Sequence, residues 1–136
     1  MHRRTFLKTA SGLFFGLSLP ALASERAPAD AVNYESLDQV KTIAASGPAI
    51  VYFHAEWCPV CQSAMLNYRA RWDEVQPGIT LILADYDKET DLKAAFGVTY
   101  QNTYVQVGTD GKALQIWNGG GIKALNEKPL FETHQE

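Results

Sequence analysis

Apolar positions along the chain fall into short strand-like runs separated by stretches with helical spacing. Ala49-Ile50-Val51-Tyr52-Phe53-His54 is nearly continuous, as expected for a strand covered on both faces. Ile79–Ala84 is a second such run, Val32–Tyr34 reads as a short edge strand, and Thr103–Val107 alternates. Asp110-Gly111 then marks a hairpin turn, with Ala113–Trp117 pairing back antiparallel. Between these runs, Ser36-Leu37-Asp38-Gln39 has the form of a capping box, which opens a helix over Leu37–Ala45 that Gly47-Pro48 stops. Pro59 to Trp72 is a long helix, with Pro59 in its first turn and Met65, Leu66, Tyr68 and Trp72 as its core stripe. Thr90–Phe96 is a third helix ended by Gly97, and Ile122–Phe131 a fourth after Gly119-Gly120-Gly121. The order β-α-β-α-β-α-β-β-α predicts an α/β domain with a parallel portion and an antiparallel edge.

The amino-terminal segment has another logic. His2-Arg3-Arg4-Thr5-Phe6-Leu7-Lys8 is basic, Thr9 to Leu19 is mainly apolar, and Ala21-Leu22-Ala23 is a small-residue cleavage pattern. Residues 1–23 therefore read as a removable signal peptide, 24–31 as a flexible lead-in and 32–136 as one domain. The paired arginines followed by Phe-Leu-Lys resemble a twin-arginine export signal, which places the expected destination in the periplasm. The apolar run is well short of the roughly 20 residues that span a bilayer. The leader carries Arg3, Arg4 and Lys8 and no acid, so its removal leaves nine basic against 15 acidic side chains, a net charge of −6. That balance argues against nucleic acid as a partner.

The chemistry centres on Cys58 and Cys61, the two cysteines of the chain. They lie where the apolar run 49–54 gives way to a helix. A helix start presents unpaired N–H groups and partial positive charge, which favour a thiolate, the form that attacks disulfides. The spacing puts both sulfurs on one face of the first turn. A purely structural disulfide would close too small a loop to restrain the unfolded chain much. A zinc or copper site would have to recruit His54, His134 or His2, since no second cysteine pair exists. Asp85, Asp87, Glu89 and Asp91 read as helix capping rather than metal ligands, and Arg69 and Arg71 as a solvated face. A redox dithiol in an oxidising compartment must be kept oxidised or be re-reduced by a partner.

The stretch Ala55-Glu56-Trp57-Cys58-x-x-Cys61, with Phe96-Gly97-Val98, Thr103 and Asp110-Gly111-Lys112 in order behind it, resembles thioredoxin from about Val32 to Phe131. The resemblance implies a thioredoxin-like three-layer sandwich, its mixed central sheet ending in an antiparallel hairpin. It also implies an exported thiol–disulfide oxidoreductase needing no cofactor and no bound metal. Cys58 is then the nucleophile and the more exposed sulfur, and Cys61 resolves the mixed disulfide. Trp57, Pro59, Gln101 and Asn102 flank the dithiol as a docking surface. Partners would be protein disulfides and a membrane electron donor or acceptor, for a monomer whose direction leans to reduction. A copper- or zinc-binding carrier on the same fold is the alternative.

Three departures from the family carry information. Pro59-Val60 replaces Gly-Pro between the cysteines. Tyr52 and Leu83 stand where the family has a buried Asp–Lys pair, so the usual proton acceptor for the resolving thiol is gone, leaving Tyr52 and Glu56 as candidates for proton handling. Asn102 stands in place of the cis-proline before Thr103, and a trans bond is expected there because cis costs roughly 2.5–4 kcal/mol without proline. Substrate docking is expected to differ as a result, and metal binding to become easier.

Overall fold

The computed structural model of the chain describes residues 31–131, so the predicted leader (1–23), nearly all of the lead-in (24–31) and His134 lie outside it. The elements are β1 (Ala31–Asn33), α1 (Leu37–Ala44), β2 (Ala49–His54), α2 (Pro59–Arg71), a 3₁₀ turn (Trp72–Glu74), β3 (Thr80–Asp85), α3 (Thr90–Phe96), β4 (Thr103–Val107), β5 (Ala113–Asn118) and α4 (Gly121–Glu127). Five strands form one sheet in the order β1-β3-β2-β4-β5. β1 and β2 run parallel to β3, whereas β4 is antiparallel to both β2 and β5. The mixed sheet with an antiparallel hairpin edge is the architecture the sequence predicts.

Strand alternation sorts the core into two layers. Ile50, Tyr52, Leu81, Leu83 and Tyr104 pack on the face that receives Met65 and Tyr68 of α2 and Ala124 and Leu125 of α4. Val51, Phe53, Ile82, Ala84 and Val105 pack on the other face, against Val40 of α1 and Leu92 and Phe96 of α3. β2 lies between the two layers and is buried from Ala49 to Phe53. Full burial of one such side chain contributes about 1.5–3 kcal/mol.

Local signals explain most boundaries. Ser36 Oγ accepts the Gln39 N–H at 3.2 Å, closing half of the predicted box. The Gln39 side chain instead reaches one residue further back, to the Glu35 N–H at 2.9 Å. Gly97 caps α3 in the left-handed conformation, φ 70°. Three expectations need correction. The last helix ends at Glu127, not Phe131, because Pro129 has no N–H to donate and its ring clashes with the carbonyl one turn back. Leu66 is 63% exposed and outside the core, since on α2 it lies about 100° from the Cys61–Met65–Tyr68 stripe. The edge strand includes Ala31, which the sequence placed in the lead-in.

Candidate active site

β2 delivers the chain to the carboxyl end of the parallel strands, and α2 starts there. Cys58 is the N-cap of α2, with extended backbone (φ −89°, ψ 113°) and Pro59 following at the first helical position. Its Sγ accepts the backbone N–H of Cys61 at 3.2 Å, the role an oxygen plays in an ordinary N-cap. Both cysteines are free thiols. The expected difference in exposure is not found: Cys58 is 2% and Cys61 1% exposed, with Ala55 and the half-buried Tyr86 packed around them. Burial pushes the Cys61 thiol up from its ordinary value and its contact with Cys58 adds to the rise, while the Ala55 backbone and the neighbouring Tyr52 side chain oppose it.

Beneath the dithiol sits an aromatic layer. Tyr52 stacks on Tyr104 with ring centroids 4.2 Å apart, and Tyr104 stacks on Trp117 at 5.5 Å. The Tyr68 and Tyr104 hydroxyls share a hydrogen bond. The Tyr52 hydroxyl donates to Asn102 Oδ1 at 2.8 Å. Burial, then the Cys61 contact, raise the ionisation of Tyr52 far above the ordinary phenol range, so it stays neutral. Tyr52 and Leu83 are directly opposite each other in the β2–β3 register. The two positions at which the buried charge pair is missing are thus cross-strand neighbours, and both are filled without charge.

Asn102 replaces the proline with a different local solution. Its backbone is left-handed, φ 62°, and no cis peptide occurs among the described residues. Its N–H donates to the Phe53 carbonyl at 2.8 Å and its carbonyl accepts the Gly119 N–H at 2.9 Å. The Gln101 carbonyl accepts from Asn118 Nδ2 at 3.0 Å. The N–H and the carbonyl of Asn102 are therefore both occupied within the fold. Cys58, Gln101 and Asn102 nonetheless meet in one cavity of about 310 Å³, lined also by Val60, Tyr100 and Asn118. Trp57 and Pro59 are exposed beside it, and Trp57 Nε1 donates to Asp87 Oδ2 at 2.7 Å. Val60, Tyr100 and Asn118 were not singled out in the sequence. Tyr100 and Asn118 enter only because β4 and β5 bring residues far along the chain back to the helix start.

A second cavity, about 360 Å³, opens on the other side of the dithiol and is lined by His54, Glu56, Cys61, Met65, Leu66 and Arg69 among others. Glu56 and Arg69 are exposed at its edge. Burial lowers the ionisation of His54 from its ordinary value and Arg69 adds to this, against the opposing pull of Asp85 and Glu56. The acidic cluster does not cap α3 as expected: its N-cap, Glu89, makes no side-chain hydrogen bond to the helix, and only Asp91 lies in the first turn. Asp85 Oδ1 instead accepts the N–H groups of Asp87 and Lys88 at 2.9 and 3.1 Å, closing the turn before the helix. Among the described residues no three His, Cys, Asp or Glu side chains are grouped to hold a metal ion.

A pair of cysteines at the first turn of a helix, fed by a buried strand of a mixed five-stranded sheet, defines a dithiol redox protein. The Thioredoxin family model matches residues 31–127, and the chain belongs to the thioredoxin family. A thioredoxin of Borreliella burgdorferi is 32% identical over 65 residues, which cover 48% of this chain and 56% of that protein. The match thus spans little more than half of that relative's length. A thioredoxin from Nicotiana alata superimposes with a TM-score of 0.61 at 20% identity, covering 77% of this chain and 94% of the other. A mutant thioredoxin from Halobacterium salinarum does so with 0.56 at 21% identity, covering 75% and 96%. These structural likenesses concern the fold. The family membership indicates thiol–disulfide oxidoreductase activity in general terms.

Proposed function

We propose that the protein is an exported, periplasmic thiol–disulfide oxidoreductase that reduces protein disulfides through Cys58 and Cys61. The observation that carries this reading is the Cys58 sulfur seated as a helix N-cap, accepting the Cys61 N–H and facing a cavity. A helix start favours the thiolate form of a cysteine seated there, because the N–H groups of the first turn lack partners within the helix. Cys58 attacks a substrate disulfide and one substrate sulfur leaves as a thiolate. Cys61 then displaces the other, leaving a Cys58–Cys61 disulfide and a substrate with two thiols. A membrane-bound electron donor returns two electrons and two protons to the pair. The chain acts as a monomer and needs no cofactor for this cycle. The copper- or zinc-carrier alternative gains no third donor among the described residues and is not favoured.

Single-turnover reduction of a protein disulfide tests the reading. Cys58→Ser should lose at least about a hundredfold in rate, as expected when an activated nucleophile is removed. Cys61→Ser should accumulate a mixed disulfide visible by mass spectrometry. A Cys58→Ser variant that reduces at the wild-type rate would refute the assignment. The reduction potential of the couple decides direction, and retention of the Arg3→Lys/Arg4→Lys double variant in the cytoplasm of a bacterial host tests the export route.

A further inference from the structure

If Cys58 and Cys61 form the redox couple proposed above, Cys61 must lose a proton before it can resolve the mixed disulfide. Its surroundings make that hard, because the sulfur is buried and its thiol form is favoured. Two polar surroundings touch it. One is the Tyr52 hydroxyl, whose single proton is given to Asn102 Oδ1 and which, as a neutral phenol, has no capacity to take another. The other is the 360 Å³ cavity.

His54 lies in that cavity for a structural reason. Residues two apart on a strand share a face, so His54 follows Tyr52 onto the side covered by α2, their rings 5.7 Å apart. The cavity wall therefore carries both an imidazole and the Cys61 side chain. A water takes about 30 Å³ and needs two to four polar partners, so the space has room for several. The charged groups facing His54 are Asp85 of β3, Glu56 of the β2–α2 connection and Arg69 of α2. Glu56 is exposed at the mouth, whereas His54 is half-buried beside the dithiol.

We propose that His54 accepts the Cys61 proton, through water held in the cavity the two residues share. The Cys61 proton passes to the imidazole and the resulting thiolate attacks Cys58 Sγ. The Cys58–Cys61 bond forms as the Cys58–substrate bond breaks, and the departing substrate thiolate takes a proton from solvent. The imidazolium returns its proton to bulk water before the next turnover. Because burial keeps His54 neutral near pH 7, the acceptor is available there, and it is lost as pH falls through the lowered ionisation of the ring.

The test isolates the second step. The reduced mature chain is mixed with 5,5′-dithiobis(2-nitrobenzoate) across pH 5–9; attack by Cys58 releases one coloured thiolate and leaves a Cys58 mixed disulfide, and release of the second thiolate by Cys61 is followed as a separate phase. In the wild-type protein release should fall in acid and level off near neutrality. In His54→Gln it should fall about tenfold or more at pH 7 and climb about tenfold per pH unit, approaching wild type in alkali. The labelling rate of Cys58 should be unchanged, which also reports an intact fold. Added imidazole should restore release in His54→Ala. Superimposable pH profiles for wild type and His54→Gln would overturn the proposal, as would loss of the plateau in Glu56→Gln but not in His54→Gln. Failure of Cys58 to form the label adduct even in the wild-type protein is a different result, which removes the parent redox reading and the proposal with it.

Discussion

Asn102 holds a backbone conformation that most side chains avoid, φ 62°, and pays back through its amide, which receives the Tyr52 hydroxyl at 2.8 Å. Asn102→Ala should destabilise the fold by about 2–4 kcal/mol, combining a buried donor left unpaired with a left-handed β-carbon. Asn102→Gly, free of the second cost, should lose about 1–2 kcal/mol less. Urea denaturation checks the order of the two. The buried titratable groups set the stable pH range. His54 is held neutral, so the unfolded chain binds its proton first and stability should fall as pH drops below the ring's ordinary 6.5. Cys61 is raised above its ordinary 9.0, and Tyr52, Tyr68 and Tyr104 are raised above 10.0, Tyr68 to about 12, chiefly by burial. There the unfolded chain ionises first, so stability should fall above pH 9 and steeply above pH 10. The three tyrosines together contribute up to about 4 kcal/mol per pH unit. Thermal melts from pH 5 to 11 should trace a dome with its top between these limits.

The redox helix shows how an element divides its duties. α2 buries Cys61, Met65 and Tyr68 against the sheet and leaves Leu66 in solvent. Met65→Ala should cost about 2–3 kcal/mol by leaving a cavity, whereas Leu66→Glu should stay within about 0.5 kcal/mol. Equal losses at the two neighbours, measured by denaturant midpoint, would show that the stripe is placed wrongly. The helix also owes its start to chemistry: a cysteine does the capping, so the residue that opens α2 is the one proposed to react.

At the scale of the whole molecule, the sheet carries the site at the carboxyl end of β2, where loops from separate parts of the chain converge. The Trp57–Asp87 hydrogen bond ties the dithiol loop to the connection before α3. Around Cys58, the side chains of Trp57, Val60 and Tyr100 form an exposed apolar rim, a surface suited to a protein substrate. Val60→Asp and Tyr100→Asp should each raise KM for a protein disulfide by about tenfold, while the rate with a small-molecule disulfide stays near wild type. Parallel assays on the two substrates check this, and equal losses on both would place these residues in the chemistry rather than in docking.

The order of elements, the strand covered on both faces, the capping signals and the position of the cysteine pair at a helix start were all written along the chain. They depend on periodicity and on hydrogen bonds between residues a few positions apart. Even the end of α4 was legible, since Pro129 marks it, although the apolar residues beyond that proline drew the predicted helix too far. What only the tertiary structure decided are the meetings across the fold. Tyr52 reaches Asn102, 50 residues on. His54 and Glu56 share a cavity with Cys61 and Arg69, and Tyr100 and Asn118 share another with Cys58. Such meetings depend on strand register and on how two helical layers close over one sheet, a property of the packed whole that no local stretch of sequence encodes.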